Sequence, residues 1–261
     1  MARFCSLYSG SSGNSVAIGC GGKYILIDAG QSAKRIKERL SQEDIDPSDI
    51  CAIFITHEHS DHISGVRVLA SSLKVPVYAT EGTAAYLRNA GHAKNTDLRI
   101  LPRDGVDLGE MGVTFFPTSH DAAESCGFSV RCCDGRTIAL ATDTGVITPK
   151  IHAALEGADL VYIESNHDES MLFAGRYPYP LKKRIASGKG HLSNDACAAE
   201  LPLLARSGAT RFVLGHLSAE NNMPLLARQS AVCELGKYGL REGADYLLSV
   251  AAPDGLKSMV F

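Results

Sequence analysis

Short apolar bursts alternate with amphipathic stretches along most of the chain. Residues 16–18, 24–27, 50–55, 75–78, 113–116, 128–132, 137–141, 160–163, 212–214 and 246–250 have strand length and favour β-branched and aromatic side chains. Between them, residues 33–40, 63–72, 84–89, 149–155, 193–206 and 224–235 place apolar positions three and four apart, the spacing of one helix face. Ser32 and Ser193 stand where a hydroxyl would cap the helices that follow. Strands and helices interleave without repeats, low-complexity tracts or a Pro/Ser-rich linker, which predicts α/β layers in one domain over residues 1–261. Ten strands predict more than one sheet. The Leu, Met and Ala stripes of the helices are read as core faces and carry no chemistry.

Composition narrows the class. With 45% hydrophobic residues in 261, the chain can bury a sizeable core, which excludes disorder. A net charge of −3 excludes a globally basic nucleic-acid coat, so any polyanion must meet a local patch. No stretch has the length of a signal peptide or a bilayer span, and a soluble, cytoplasmic protein without a membrane partner is expected. The eight cysteines form no CxxC pair and are read as small core residues rather than disulfides.

The chemistry concentrates where the strand ending at Ile55 runs into Thr56-His57-Glu58-His59-Ser60-Asp61-His62. A strand stopping in a tight loop can turn His57 and His59 to one side, with Asp61 and His62 following at the next helix start. Two adjacent cations are then within reach. Imidazole and carboxylate suit zinc, manganese and iron, and this segment holds no thiolate.

His57, His59, Asp61 and His62 spell HxHxDH, and on this motif the chain resembles the metallo-β-lactamase superfamily. Asp28, His120, Asp143 and His216, each just after an apolar run, fall at further positions of that pattern. The resemblance implies a four-layer αββα sandwich. It implies two divalent metal ions (Mn2+, Zn2+ or Fe), one on His57, His59 and His120, the other on Asp61, His62 and His216, with Asp143 bridging. Asp28 would sit behind the histidines and fix their loop by hydrogen bonds. Antibiotic hydrolysis is disfavoured, since the dinuclear lactamases place a cysteine where Asp143 stands. Phosphodiester hydrolysis is the expected reaction, with Asp61 and Asp143 positioning the attacking water and His191 assisting the leaving oxygen.

Residues 170–194 contain Arg176, Lys182, Lys183, Arg184 and Lys189 and no acid, in a chain that is negative overall. With Tyr177 and Tyr179 among them, these side chains are candidates for holding phosphates and stacking bases. Ser193 and Asn194 follow His191 at a helix start and are further candidates for substrate contact. Closer than the superfamily match is a resemblance to the YycJ/WalJ-like group, carried by residues 9–15, 119–122, 164–168, 191–194 and 215–218. That resemblance implies a manganese-supported 5′ to 3′ exonuclease acting on DNA. The alternatives are a small-molecule hydrolase, either a cyclic phosphodiesterase or a glyoxalase-II-like thioesterase, and a metal-binding regulatory protein without turnover. His167 is left off the ligand set, and His92 and His152, in helix-end contexts without acidic partners at ligand spacing, are read as surface residues. The glycine-rich loop at 9–15 is read equally as a phosphate cradle or a plain hairpin.

Overall fold

The computed structural model describes residues 1–261. In chain order the strands are β1 (Arg3–Tyr8), β2 (Ser15–Cys20), β3 (Lys23–Ile27), β4 (Ile50–Phe54), β5 (Val77–Ala79), β6 (Leu98–Ile100), β7 (Val106–Asp107), β8 (Met111–Pro117), β9 (Cys126–Cys132), β10 (Thr137–Ala141), β11 (Leu160–Glu164), β12 (Arg211–Gly215), β13 (Leu247–Val250) and β14 (Met259–Val260). The helices are α1 (Ala33–Gln42), α2 (Ser60–Ile63), α3 (Val66–Leu73), α4 (Glu81–Asn89), α5 (Pro149–Leu155), α6 (Glu169–Ala174), α7 (Tyr179–Ile185), α8 (Asn194–Arg206) and α9 (Pro224–Lys237). One seven-stranded sheet has the order β14-β1-β2-β3-β4-β5-β6, the other β13-β12-β11-β10-β9-β8-β7.

Three apolar clusters define four layers. Phe4, Phe54, Phe128, Tyr162 and Val213 lie between the sheets. Ile36, Ile53, Ile63, Leu69 and Leu87 join the first sheet to α1 through α4. Ile151, Leu155, Leu201, Leu204, Phe212 and Leu235 join the second sheet to α5, α8 and α9. Along β4, Ala52 and Phe54 face the other sheet while Ile53 and Ile55 face helices. Along β11, Leu160 and Tyr162 face inward and Val161 and Ile163 outward. Strands buried on both faces read as unbroken apolar bursts, which is why they were visible in the sequence. The fold is the αββα sandwich.

Strands β3 to β6 are mutually parallel, as are β10 to β13, so within each run the carboxyl ends share one edge. Antiparallel pairing of β8 with β9 and of β9 with β10 sends β8 to the same edge. The loops after β3, β4, β8, β10, β11 and β12 therefore gather on one rim.

Four strands escaped the sequence pattern. In β1 the buried Cys5 and Ser6 interrupt the apolar signal, and β6, β7 and β14 are two or three residues long. The basic segment, which the sequence pattern left without an assigned helix, holds α6 and α7. Pro180 lies in the first turn of α7, where its missing N–H costs nothing. Ser32 and Ser193 cap as expected, accepting from the N–H groups of Arg35 and Ala196.

Candidate metal centre

Strand β4 delivers Thr56 and His57 to the rim, and the short α2 presents Asp61 and His62. The turn is held from behind by Asp28, at the end of β3. Its Oδ1 accepts from the Thr56 N–H at 2.8 Å, and its Oδ2 accepts from Thr56 Oγ1 and His62 Nδ1, each at 2.8 Å. Asp28 is buried and sits at φ 62°, while Asp143 and His216, at the ends of β10 and β12, both sit at φ 55°. Each such non-glycine residue costs about 1–3 kcal/mol, and the three lie where strand ends must turn side chains toward one point.

Four of the five candidate histidine ligands are oriented through their Nδ1 atoms. His57 Nδ1 lies 3.0 Å from Thr56 Oγ1, His62 Nδ1 donates to Asp28, His120 Nδ1 donates to Gly190 O at 2.9 Å, and His216 Nδ1 donates to Glu164 Oε1 at 2.8 Å. In each case Nε2 is the nitrogen left for the site. His59 differs, with its Nδ1 3.3 Å from His120 Nε2. Such outer partners fix the tautomer and ring angle of an imidazole ligand.

Ligand atoms of His57, His59 and His120 lie within 4.8 Å of one another, as do those of Asp61, His62 and His216. Asp143 stands between the two sets, with Oδ2 at 3.3 Å from His62 Nε2 and Oδ1 at 3.7 Å from His120 Nε2. His57 Nε2, His216 Nε2 and Asp143 Oδ2 are buried without hydrogen-bond partners. Buried polar atoms are seldom left so, and here the orphaned atoms are imidazole nitrogens and a carboxylate oxygen turned toward a common space. The donor set fits divalent cations.

The electrostatics agree with the fit. Burial, together with the neighbouring His62 and His120, pushes the His57 imidazole well below its ordinary range, toward the neutral form a ligand needs. Burial opposes charge on His62, yet Asp143 and Asp28 push it up to about 10. Burial would raise Asp61, but the imidazoles of His216 and His62, 3.6 Å and 3.4 Å from its Oδ2, hold it far below the carboxylate range. The site calls for positive charge, which protons on His62 and His216 supply when no cation does.

Three contributors were not assigned from the sequence. Glu164 closes β11 fully buried, and it accepts from His191 Nδ1 at 2.7 Å, His216 Nδ1 at 2.8 Å, Thr144 N at 3.0 Å and Leu192 N at 3.2 Å. An acid closing an apolar strand, as Asp28 does after β3, was its signal. Asn14, in the glycine-rich loop, has its Nδ2 3.2 Å from Asp61 Oδ2 and 3.1 Å from His62 Nε2. The loop thus braces the site through a side chain, and a Cβ on Gly30 would collide with the Asp61 carbonyl it packs against. Thr56, already named, is the third.

A cleft of about 230 Å³ opens on the centre, lined by residues that include His59, Asp61, Asp143, Asn166, Tyr177 and His191.

Residues 23–217 match the family described as "Beta-lactamase superfamily domain". The chain belongs to the metallo-β-lactamase superfamily. Within it, Exodeoxyribonuclease WalJ of Streptococcus pneumoniae is 37% identical over 256 residues, 97% of this chain and 95% of its own. Exodeoxyribonuclease YycJ of Bacillus anthracis is 37% identical over 243 residues, 92% of each chain. The chain is thus a member of the YycJ/WalJ group and a metal-dependent hydrolase. The crystal structure of the metallo-beta-lactamase fold protein YhfI from Bacillus subtilis aligns with a TM-score of 0.73 at 16% identity, covering 99% of both chains, which shows the shared superfamily fold. No helix is long and apolar enough to cross a membrane.

The residues expected to contact substrate fall in different surroundings. Lys182 is buried, and its Nζ donates to Phe173 O at 2.6 Å and Gly175 O at 2.7 Å, so it ties α7 to α6 and presents no free charge. Arg184 pairs with Asp121 through two hydrogen bonds. Ser193 is a helix cap, and Asn194 is buried in a network with Ser165 and Asn222, so neither side chain faces a strand. Arg176, Lys183 and Lys189 remain exposed, Lys183 with its ammonium 5.0 Å from the Tyr179 ring centroid. His152, which has no acid at ligand spacing in the sequence, donates from Nδ1 to Glu200, which the fold brings from α8. His92 is partly exposed, and His167 is buried in the loop after β11 with Nδ1 unpaired.

Proposed function

We propose that the chain is a DNA exonuclease that removes nucleotides in the 5′ to 3′ direction. The observation that carries this reading is identity of 37% along nearly the whole chain to relatives named exodeoxyribonucleases. The cleft supports it, since one wall holds the candidate ligands and the other holds Tyr177 and the α7 residues Leu181, Arg184 and Ile185.

His57, His59 and His120 would hold one divalent cation and Asp61, His62 and His216 the other, with Asp143 between. When bound, such a pair lowers the pKa of water toward neutrality and offsets charge on the phosphoryl oxygens. The chain's own residues then do the rest. Asp61 and Asp143 orient the attacking water toward phosphorus. His191 has Nδ1 on Glu164, so Nε2 is the atom free for substrate. Burial alone would lower this imidazole, but the Glu164 charge and hydrogen bond raise it, which favours its protonated form. It can therefore give a proton to the 3′ oxygen as the P–O bond breaks. Tyr177, which lines the cleft, would stack on a base, and Arg176, Lys183 and Lys189 would meet the backbone beyond it.

Digestion of single- and double-stranded DNA labelled at either end, with Mn2+ or Zn2+, tests the reading. Release of mononucleotides from the 5′ end is expected. Intact DNA beside rapid turnover of a thioester or a cyclic nucleotide would overturn it.

A further inference from the structure

A second group of metal-ligating side chains lies at the opposite end of the sandwich. Strand β2 ends at Cys20 and runs antiparallel to β3, and β9 ends at Cys132 and runs antiparallel to β10, so both ends face away from Asp28 and Asp143. Ligand atoms of Cys20, Cys132 and Asp134 lie within 4.8 Å of one another. Cys133 Sγ is 2.6 Å from Cys20 Sγ. Cys20 and Cys132 are buried and Cys133 is exposed, which gives the cluster a path to solvent. The Asp134 carboxylate is held by N–H groups of Ala2 and Arg136 and lies 3.5 Å from the Met1 ammonium. The Glu110 carboxylate fills the space that a Cβ on Gly21 would take, and the backbone N–H of Cys133 donates to Glu110 O at 2.8 Å.

We propose that Cys20, Cys132, Cys133 and Asp134 form a site for a thiophilic divalent cation such as Zn2+, separate from the hydrolytic centre. Three sulfurs and one carboxylate are a donor set that zinc accepts in a closed tetrahedral site. Zinc–sulfur bonds of about 2.3 Å require ligand sulfurs farther apart than the Cys20–Cys133 contact, so Cys133, which stands outside the Cys20, Cys132 and Asp134 group, rotates at its exposed turn to become the fourth ligand. Uptake releases the thiol protons to solvent. Hydrogen bonds with Cys20 and Glu110 push the Cys133 thiol up to about 12, and burial pushes Cys132 up to about 12, so without a cation these sulfurs keep their protons. Cys20 belongs to the first sheet and Cys132 to the second. A cation there would staple the two sheets at the end remote from catalysis.

The test uses reduced protein already loaded with Mn2+ and titrated with Cd2+, followed by thiolate-to-metal charge-transfer absorbance in the ultraviolet. A band saturating near one equivalent per chain is expected, with a rise in melting temperature. Cys20→Ser should abolish the band, and the double change Cys133→Ser with Asp134→Asn, at exposed positions that should not affect folding, should weaken cation affinity at least tenfold. Absence of the band from the native chain, or its persistence unchanged in the variants, would overturn the proposal. So would a Cys20–Cys133 disulfide found by mass spectrometry in protein that takes up no Cd2+ after reduction.

Discussion

His216 donates from Nδ1 to Glu164 Oε1 at 2.8 Å, from within the second sheet, just as His62 donates to Asp28 at 2.8 Å from within the first. Each sheet thus supplies a buried carboxylate behind one imidazole of the same proposed cation site. Glu164 also holds His191, so one side chain links the proposed metal site to the proposed proton donor.

Glu164→Gln should therefore damage two functions at once. Loss of an outer-shell carboxylate costs about 10–100-fold in metal affinity, and the loss of its charge lets the His191 imidazole fall toward its ordinary range. Metal titration by calorimetry, with the pH profile of turnover at saturating metal, separates the effects. Turnover should decline at lower pH than in the native enzyme, as His191 loses its proton sooner. An unmoved profile would remove Glu164 from the proton-donor role.

Asp143→Asn removes the charge between the two ligand sets while keeping the shape. Both metal content and nuclease turnover should fall together, turnover by at least about 100-fold, because the positioning of two cations is lost. Full activity at reduced metal content would rule out the bridging role.

The basic segment makes a graded prediction. Neutralising Arg176, Lys183 and Lys189 together should weaken DNA binding and lower the slope of log affinity against log salt by about two to three, at roughly 0.7–0.9 per phosphate contact. Lys182→Ala should leave that slope unchanged and lower stability by about 1–3 kcal/mol, because it strips two carbonyls of their donor. Fluorescence anisotropy across a salt series, paired with denaturant unfolding, checks both.

His152 gains protonation stability in the fold. Its hydrogen bond with Glu200 raises its pKa from an ordinary value near 6.5. The folded form holds the proton more tightly, so the stabilisation is complete below about pH 6.5 and fades as pH rises through the folded pKa. Being one-third exposed, the pair contributes under about 1 kcal/mol. Denaturant midpoints of His152→Gln and the native chain should differ near pH 6 and converge near pH 9. A gap that widened with pH would contradict this.

Residues whose role is local were legible in the sequence. The HxHxDH run and the caps Ser32 and Ser193 announce themselves by type and neighbours, whereas Asp143 and His216 stood out only through the family resemblance. Glu164, Asn14 and Thr56 were not, because their function exists only once β3, β4, β11 and β12 share a rim. Charge was the least transferable signal. Lys182 and Lys183 are adjacent and chemically identical, yet helical geometry buries one and exposes the other. A basic run counted along the chain therefore overstates what a strand of DNA would meet.

Two cations should sit side by side on the shared rim, which anomalous diffraction from crystals grown with Mn2+ would reveal. Two peaks are expected, one among His57, His59 and His120 and one among Asp61, His62 and His216, with Asp143 reaching both. A single peak, or peaks that bypass these residues, would contradict this arrangement.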